Sequence, residues 1–122
     1  MTDDYNLHVE TPSPADYLRL RIDAGLTPKT AEGAAAGLPN TVHAVVIRKA
    51  DRVVGMGRVI GDGGLFFQVV DIAVEPAHQG RGLGKAIVAA LVENLRATAP
   101  KRRLRQPDGR WRSPSALCAV WI

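Results

Sequence analysis

Apolar positions along the chain follow two periods. Residues 41–49 and 53–60 are nearly continuous apolar runs separated by Ala50-Asp51-Arg52, a spacing that predicts a β-hairpin. Gly61-Asp62-Gly63-Gly64 predicts the next turn. Residues 65–74, rich in β-branched and aromatic side chains, predict a third strand, and Pro76 ends it because proline has no N–H to give to a ladder. From Leu83 the period becomes helical, with Leu83, Ile87, Ala90, Leu91 and Leu95 on one face. Upstream, residues 5–9 predict a short strand. Ser13-Pro14 reads as an N-cap and first turn for a helix that carries Tyr17, Leu18, Leu20 and Ile22 and stops at Gly25. A second short helix is predicted over residues 30–36, ending at Gly37 with Pro39 beyond. Three consecutive antiparallel strands feeding a helix give an α+β domain, a sheet with helices on its faces.

The junction between the third strand and the long helix carries the chemistry. Gln79-Gly80-Arg81-Gly82-Leu83-Gly84-Lys85 places three glycines in five positions. Glycine lets the backbone turn its N–H groups toward a ligand, and the first helical turn adds unpaired donors and the positive end of the helix dipole, which together make an anion site. The same glycines also suit a connection that holds no ligand. Two known phosphate loops do not fit. Lys85 is followed by Ala86 where a Walker loop needs Ser or Thr, and Gly84 lies two residues after Gly82 where the dinucleotide fingerprint needs three.

The pattern Val74-x-Pro76-x-x-Gln79-Gly80-Arg81-Gly82-Leu83-Gly84-Lys85, after a strand and before an amphipathic helix, resembles motif A of the GNAT N-acetyltransferases. The core of that motif, Q/R-x-x-G-x-G/A, is met at Gln79, Gly82 and Gly84. The resemblance implies the GNAT (acyl-CoA N-acyltransferase) fold, a mixed and mostly antiparallel sheet flanked by helices. It implies that amides of Gln79, Gly80, Arg81, Gly82, Leu83, Gly84 and Lys85 hold the pyrophosphate of acetyl-CoA, the co-substrate. It also implies that Ile72, Ala73 and Val74 pair with the pantetheine arm through main-chain groups. The reaction implied is acetyl transfer to a primary amine by direct attack, on a small-molecule or peptide acceptor that the sequence does not identify. In the family the helical pair before the sheet borders the acceptor pocket.

Charge changes the picture only at the C-terminal end. The net charge is +4, yet residues 1–100 hold ten Lys and Arg against eleven Asp and Glu. Lys101, Arg102, Arg103, Arg105, Arg110 and Arg112 stand against Asp108 alone. The basicity therefore belongs to the tail, which argues against a nucleic-acid partner for the domain itself, although a basic tail with Trp111 and Trp121 could bind phosphate backbones and stack on bases. The arginine-rich run that opens the tail, before its last twelve residues, has no apolar period. The resemblance calls for a splayed fifth strand, a helix and two more strands, roughly 40 residues at usual element lengths, and for a tyrosine that can protonate the departing thiolate. Read one base later, the codons after Pro100 permit a strand, a loop, a helix with tyrosine and a Gly-Phe turn. The expectation is an acetyltransferase domain over residues 1–100 and an out-of-frame tail over 101–122. The alternative is a genuine variant in which residues 116–122 return as a replacement strand beside residues 72–74.

The remaining candidates are few. Cys118 is the only cysteine and lies outside any ligand cluster, so neither a disulfide within the chain nor a metal is expected. No apolar run has the length of a membrane span, and the first residues lack a signal peptide's pattern, so a cytoplasmic domain without a membrane partner is expected. His8 and His43 read as structural residues, and His78 as a cap of the turn. Asp71 alternates with Val70 and Ile72 along the strand, which leaves it either facing the acceptor groove as a general base or binding a turn or a water. A second functional reading is a catalytically inactive fragment that serves as a binding or dimerisation module, for which an uncovered strand edge would allow a homodimer.

Overall fold

The computed structural model describes residues 4–98, 104–105, 111–112 and 120–121, with side chains over the first of these ranges. Strand β1 (Tyr5–His8) is followed by helices α1 (Pro14–Asp23) and α2 (Ala31–Gly37). Then come β2 (His43–Lys49), β3 (Arg52–Gly61), β4 (Phe67–Val74) and the long helix α3 (Leu83–Thr98). Two-residue strands β5 (Leu104–Arg105), β6 (Trp111–Arg112) and β7 (Val120–Trp121) complete the described elements.

Local chemistry places the first helices where the sequence predicts them. The Ser13 side chain accepts from the Asp16 amide with Pro14 in the first turn, and the Thr30 side chain caps α2 by accepting from the Gly33 amide. β2 starts two residues later than its apolar run, because the Thr41 amide closes a 3-10 turn (Leu38–Asn40) on the Leu38 carbonyl.

The sheet runs β1-β2-β3-β4-β7, antiparallel up to β4. Alternation along its strands divides the apolar side chains between two faces. Val45, Ile47, Val59, Val69 and Val74 meet Leu83, Ile87, Leu91 and Leu95 of α3, while Val46, Val53, Met56 and Ala73 meet Tyr17 and Leu20 of α1 and Ala34 of α2. The contact of α3 with β3 is close at Gly57, where an added Cβ would lie 2.8 Å from Ile72 Cδ1 and collide with Ile87. Glycine there lets the helix approach the sheet.

Two expectations change at β4. The strand starts at Phe67, not at residue 65, because Asp62 Oδ1 accepts from the amides of Gly64, Leu65 and Phe66 at 2.8, 2.7 and 3.1 Å. Those donors are spent on the turn, and Leu65 and Phe66 remain 56% and 69% exposed. The second change is a bulge. Met56 pairs with Ala73 and Arg58 with Val70, so Gly57 faces two residues, Asp71 and Ile72, and Asp71 takes a φ of 58°. Simple alternation set Asp71 opposite to Val70. The extra residue instead puts Asp71 on the α1 face that Arg58 and its cross-strand partner Val70 share.

The tail also differs from the alternative reading, in which residues 116–122 return as a strand beside residues 72–74. The backbone of β7 runs parallel to β4 at its other end, with Phe67 opposite Val120 and Gln68 opposite Trp121. β5 and β6 form a separate antiparallel pair. Among the described residues, the edge of β4 over 69–74 therefore has no strand beside it. Most of the stretch expected to be out of frame lies outside the described residues. No described helix is long and apolar enough to cross a membrane.

Candidate active site

β4 leaves the sheet at Glu75, and the chain makes a 3-10 turn over Pro76–His78 before the glycine loop. Gln79 ties the loop to the strand it follows, its Nε2 donating to the Val74 carbonyl at 2.9 Å. Gly80 and Gly82 then take φ values of 77° and 79°, left-handed geometry that only glycine adopts freely. In this segment the Gln79 amide bonds to Pro76 and the Ala86 amide to Gly82. The amides of residues 80–85 have no acceptor among the described residues. Six consecutive N–H groups thus stand free at the start of a sixteen-residue helix.

A cavity of about 300 Å³ lies against these amides, and Ile72, Ala73, Val74, Gln79, Gly80, Gly82, Leu83 and Gly84 line it together with Ala24 and His78. Eight of the ten cofactor residues expected from sequence are thereby brought to one hollow. Arg81 and Lys85 are not part of its wall. Lys85 lines a neighbouring apolar cleft of about 680 Å³ between the open edge of β4 and α3, with Ile72, Val88 and Val92.

On the α1 face lies a third cavity, of about 540 Å³, lined by Tyr17, Arg21, Lys29, Arg58, Gln68 and Asp71 among others. Asp71 does face this groove, but both of its oxygens are engaged. Oδ1 accepts from Arg21 Nη1 at 2.6 Å and from the Tyr17 hydroxyl at 3.2 Å, and Oδ2 accepts from Arg58 Nη1 at 2.8 Å. Such a carboxylate orders the two guanidiniums and is poorly placed to collect a proton from an amine, which removes the geometric ground for a general base at Asp71. Burial pushes the pKa of the Tyr17 hydroxyl up from its ordinary value, the Asp71 charge adds to the rise, and Arg21 and Arg58 oppose it. Ile72 lines all three cavities and marks the point where they meet.

Sequence reasoning missed the charged partners that hold this geometry. Arg58 sits inside an apolar strand run and Arg21 beside the fully buried Leu20. A cation in such a place needs a carboxylate, and that was the available signal. Glu75 is buried too, and it accepts from Arg19 and from Arg52 Nε at 2.8 Å. Because Arg19 also donates to the Val53 carbonyl at 2.7 Å, these bonds clamp the end of β4 to α1 and β3. His78 packs edge-on against Tyr5 and shares a 2.6 Å hydrogen bond with its hydroxyl, and His43 Nε2 lies 2.7 Å from the Thr98 hydroxyl. Both are structural contacts. Among the described residues there is no group of three or more His, Cys, Asp or Glu side chains that could hold a metal.

Comparison with known proteins agrees with this architecture. The family model described as "Acetyltransferase (GNAT) domain" matches residues 40–113, more than half of the chain. A solved Staphylococcus aureus protein of unknown function, described as a probable acetyltransferase, is 43% identical, with a TM-score of 0.74 over 79% of this chain and 72% of that one. Chloroplastic serotonin N-acetyltransferase 2 of Oryza sativa subsp. japonica is 47% identical over 47 residues, 38% of this chain and 24% of the relative. Histone acetyltransferase TAP1 of Glycine max is 39% identical over 44 residues, 36% of this chain and 19% of the relative. The matches thus span less than a quarter of these two curated relatives. A glycine loop with free amides at the head of α3, a bulged β4 open beside it, and a family match that includes both identify the chain as a member of the GNAT acetyltransferase family.

Proposed function

We propose that the domain transfers an acetyl group from acetyl-CoA to a primary amine, with the acetyl-CoA site built within residues 1–100. The observation that carries the reading is the hollow of about 300 Å³ that Gly80, Gly82, Leu83 and Gly84, four of the six residues with unpaired amides, line together with the end of β4. Amides of residues 80–85 hold the diphosphate, aided by the positive end of the α3 dipole. Glycine at 80 and 82 keeps side chains off that approach. The pantetheine arm lies along the open edge of β4 at Ile72, where it takes the place of a neighbouring strand, whereas the main-chain groups of Ala73 are turned to its partner Met56 in β3. The Val74 carbonyl already accepts from Gln79, so Val74 serves mainly to set the loop.

The acceptor enters from the α1 side and meets the thioester near Ile72, where the cavities join. Its neutral nitrogen attacks the thioester carbonyl, a C–N bond forms, and the C–S bond breaks. The nitrogen gives up a proton and the CoA thiolate takes one. In this direct transfer, main-chain groups position the reactants and no covalent acyl-enzyme forms. The alternative of an inactive binding or dimerisation module draws no support from the comparisons. Thiol release from acetyl-CoA with a panel of primary amines tests the reading. Amine-dependent release above the hydrolysis background is expected, and its absence across a broad panel would count against catalysis.

A further inference from the structure

The cavity on the α1 face carries unbalanced charge. Its wall holds Arg21, Lys29 and Arg58 against a single carboxylate, Asp71. The side chains of Arg21, Arg58 and Asp71 are only 10%, 9% and 7% exposed, so this is a desolvated cluster and not a solvated rim. Asp71 neutralises one guanidinium. The other acids near α1 are committed elsewhere: Glu75 to Arg19 and Arg52, and Asp16 and Asp23 to Arg19. A buried surplus cation is unfavourable unless an anion compensates it.

The donors point to what completes the set. Arg21 spends Nε on the Thr27 carbonyl and Nη1 on Asp71, and its Nη2 has no acceptor among the described residues. Arg58 spends Nε on Thr41 and Nη1 on Asp71, while its Nη2 reaches only the Gly37 carbonyl at 3.4 Å. Lys29 stands exposed at the mouth. Guanidinium forks of this kind suit a carboxylate. We propose that the amine acceptor carries a carboxylate, which seats against Arg21, Arg58 and Lys29 while its amine reaches toward Ile72. This inference rests on the acetyltransferase reading of the same site and deepens it by naming the acceptor class as amino acids.

The test uses glycine, β-alanine, 4-aminobutyrate and 5-aminovalerate, each beside its own carboxamide, with thiol release from acetyl-CoA as readout and a parallel calorimetric titration of acetyl-CoA. The expected result is a preference of about ten-fold or more in kcat/KM for the carboxylate over the amide at one chain length, in line with a charge-assisted contact. In Lys29→Gln that preference shrinks, through KM, with acetyl-CoA affinity unchanged. If acetyl-CoA binds but the amides serve as well as the acids, or none of the eight compounds is turned over, the acceptor inference fails and the cofactor site stands. If acetyl-CoA does not bind, the underlying reading fails and takes the inference with it.

Discussion

Gln79 Nε2 donates to the Val74 carbonyl at 2.9 Å, which joins the glycine loop to the end of the strand that it leaves. The bond fixes where the free amides begin. Replacing Gln79 with Ala removes one hydrogen bond, about 1 kcal/mol in net terms, and lets the loop drift from the strand. A rise of roughly five-fold in the Kd for acetyl-CoA is expected by calorimetry, with a change in Tm of no more than a few degrees. An unchanged Kd would mean that the loop is held without it.

Asp71 is expected to be structural before it is chemical. Asp71→Ala leaves Arg21 and Arg58 buried without their carboxylate, a change that costs about 3–5 kcal/mol in comparable buried pairs. Urea unfolding should show a loss of that order. A loss below about 1 kcal/mol would restore Asp71 as a candidate for the chemistry.

The approach of α3 to β3 depends on the missing side chain at Gly57. Gly57→Val places methyl groups where Ile72, Ile87 and Leu91 already lie, and overpacking of this kind costs about 1–3 kcal/mol. Gly37→Ala is the control, since a Cβ there meets nothing within 4 Å and its φ is not left-handed. It should be neutral or slightly stabilising. Equal Tm values for the two variants would contradict the close contact.

The raised pKa of Tyr17 gives a signed pH dependence. The folded state holds the phenol proton more tightly than the unfolded chain does, so the contribution is complete below the ordinary tyrosine range and declines as pH rises through it. Tyr17→Phe should lose about 1 kcal/mol at neutral pH with the Asp71 hydrogen bond, and the gap to the unaltered protein should narrow at alkaline pH. A gap that widens above about pH 10 would reverse the assignment.

Much of this fold is written in local pattern. Ser13 and Thr30 announce their helices because a short polar side chain before a first turn has few other uses, and Leu83, Ile87, Leu91 and Leu95 reveal the buried face of α3 by spacing alone. The loop residues were legible for a similar reason, since left-handed geometry at Gly80 and Gly82 demands glycine. What depends on partners distant in sequence was not. The start of β4 is set by one Asp62 oxygen that takes up three amides, and the bulge at Asp71 arises from a cross-strand mismatch at Gly57 that no single strand displays. The same holds for Arg21, Arg58 and Glu75, whose burial becomes intelligible only once α1 lies on the sheet.

The most direct test is a calorimetric titration of acetyl-CoA into the unaltered chain and into Gly82→Val. A β-branched residue at a φ of 79° is strained by about 1–3 kcal/mol and sets a side chain beside the free amides. Binding by the unaltered chain and a Kd at least ten-fold weaker in the variant, with near-UV dichroism preserved, is the predicted result. Equal affinity in the two proteins, or no binding by the unaltered chain, would contradict the account.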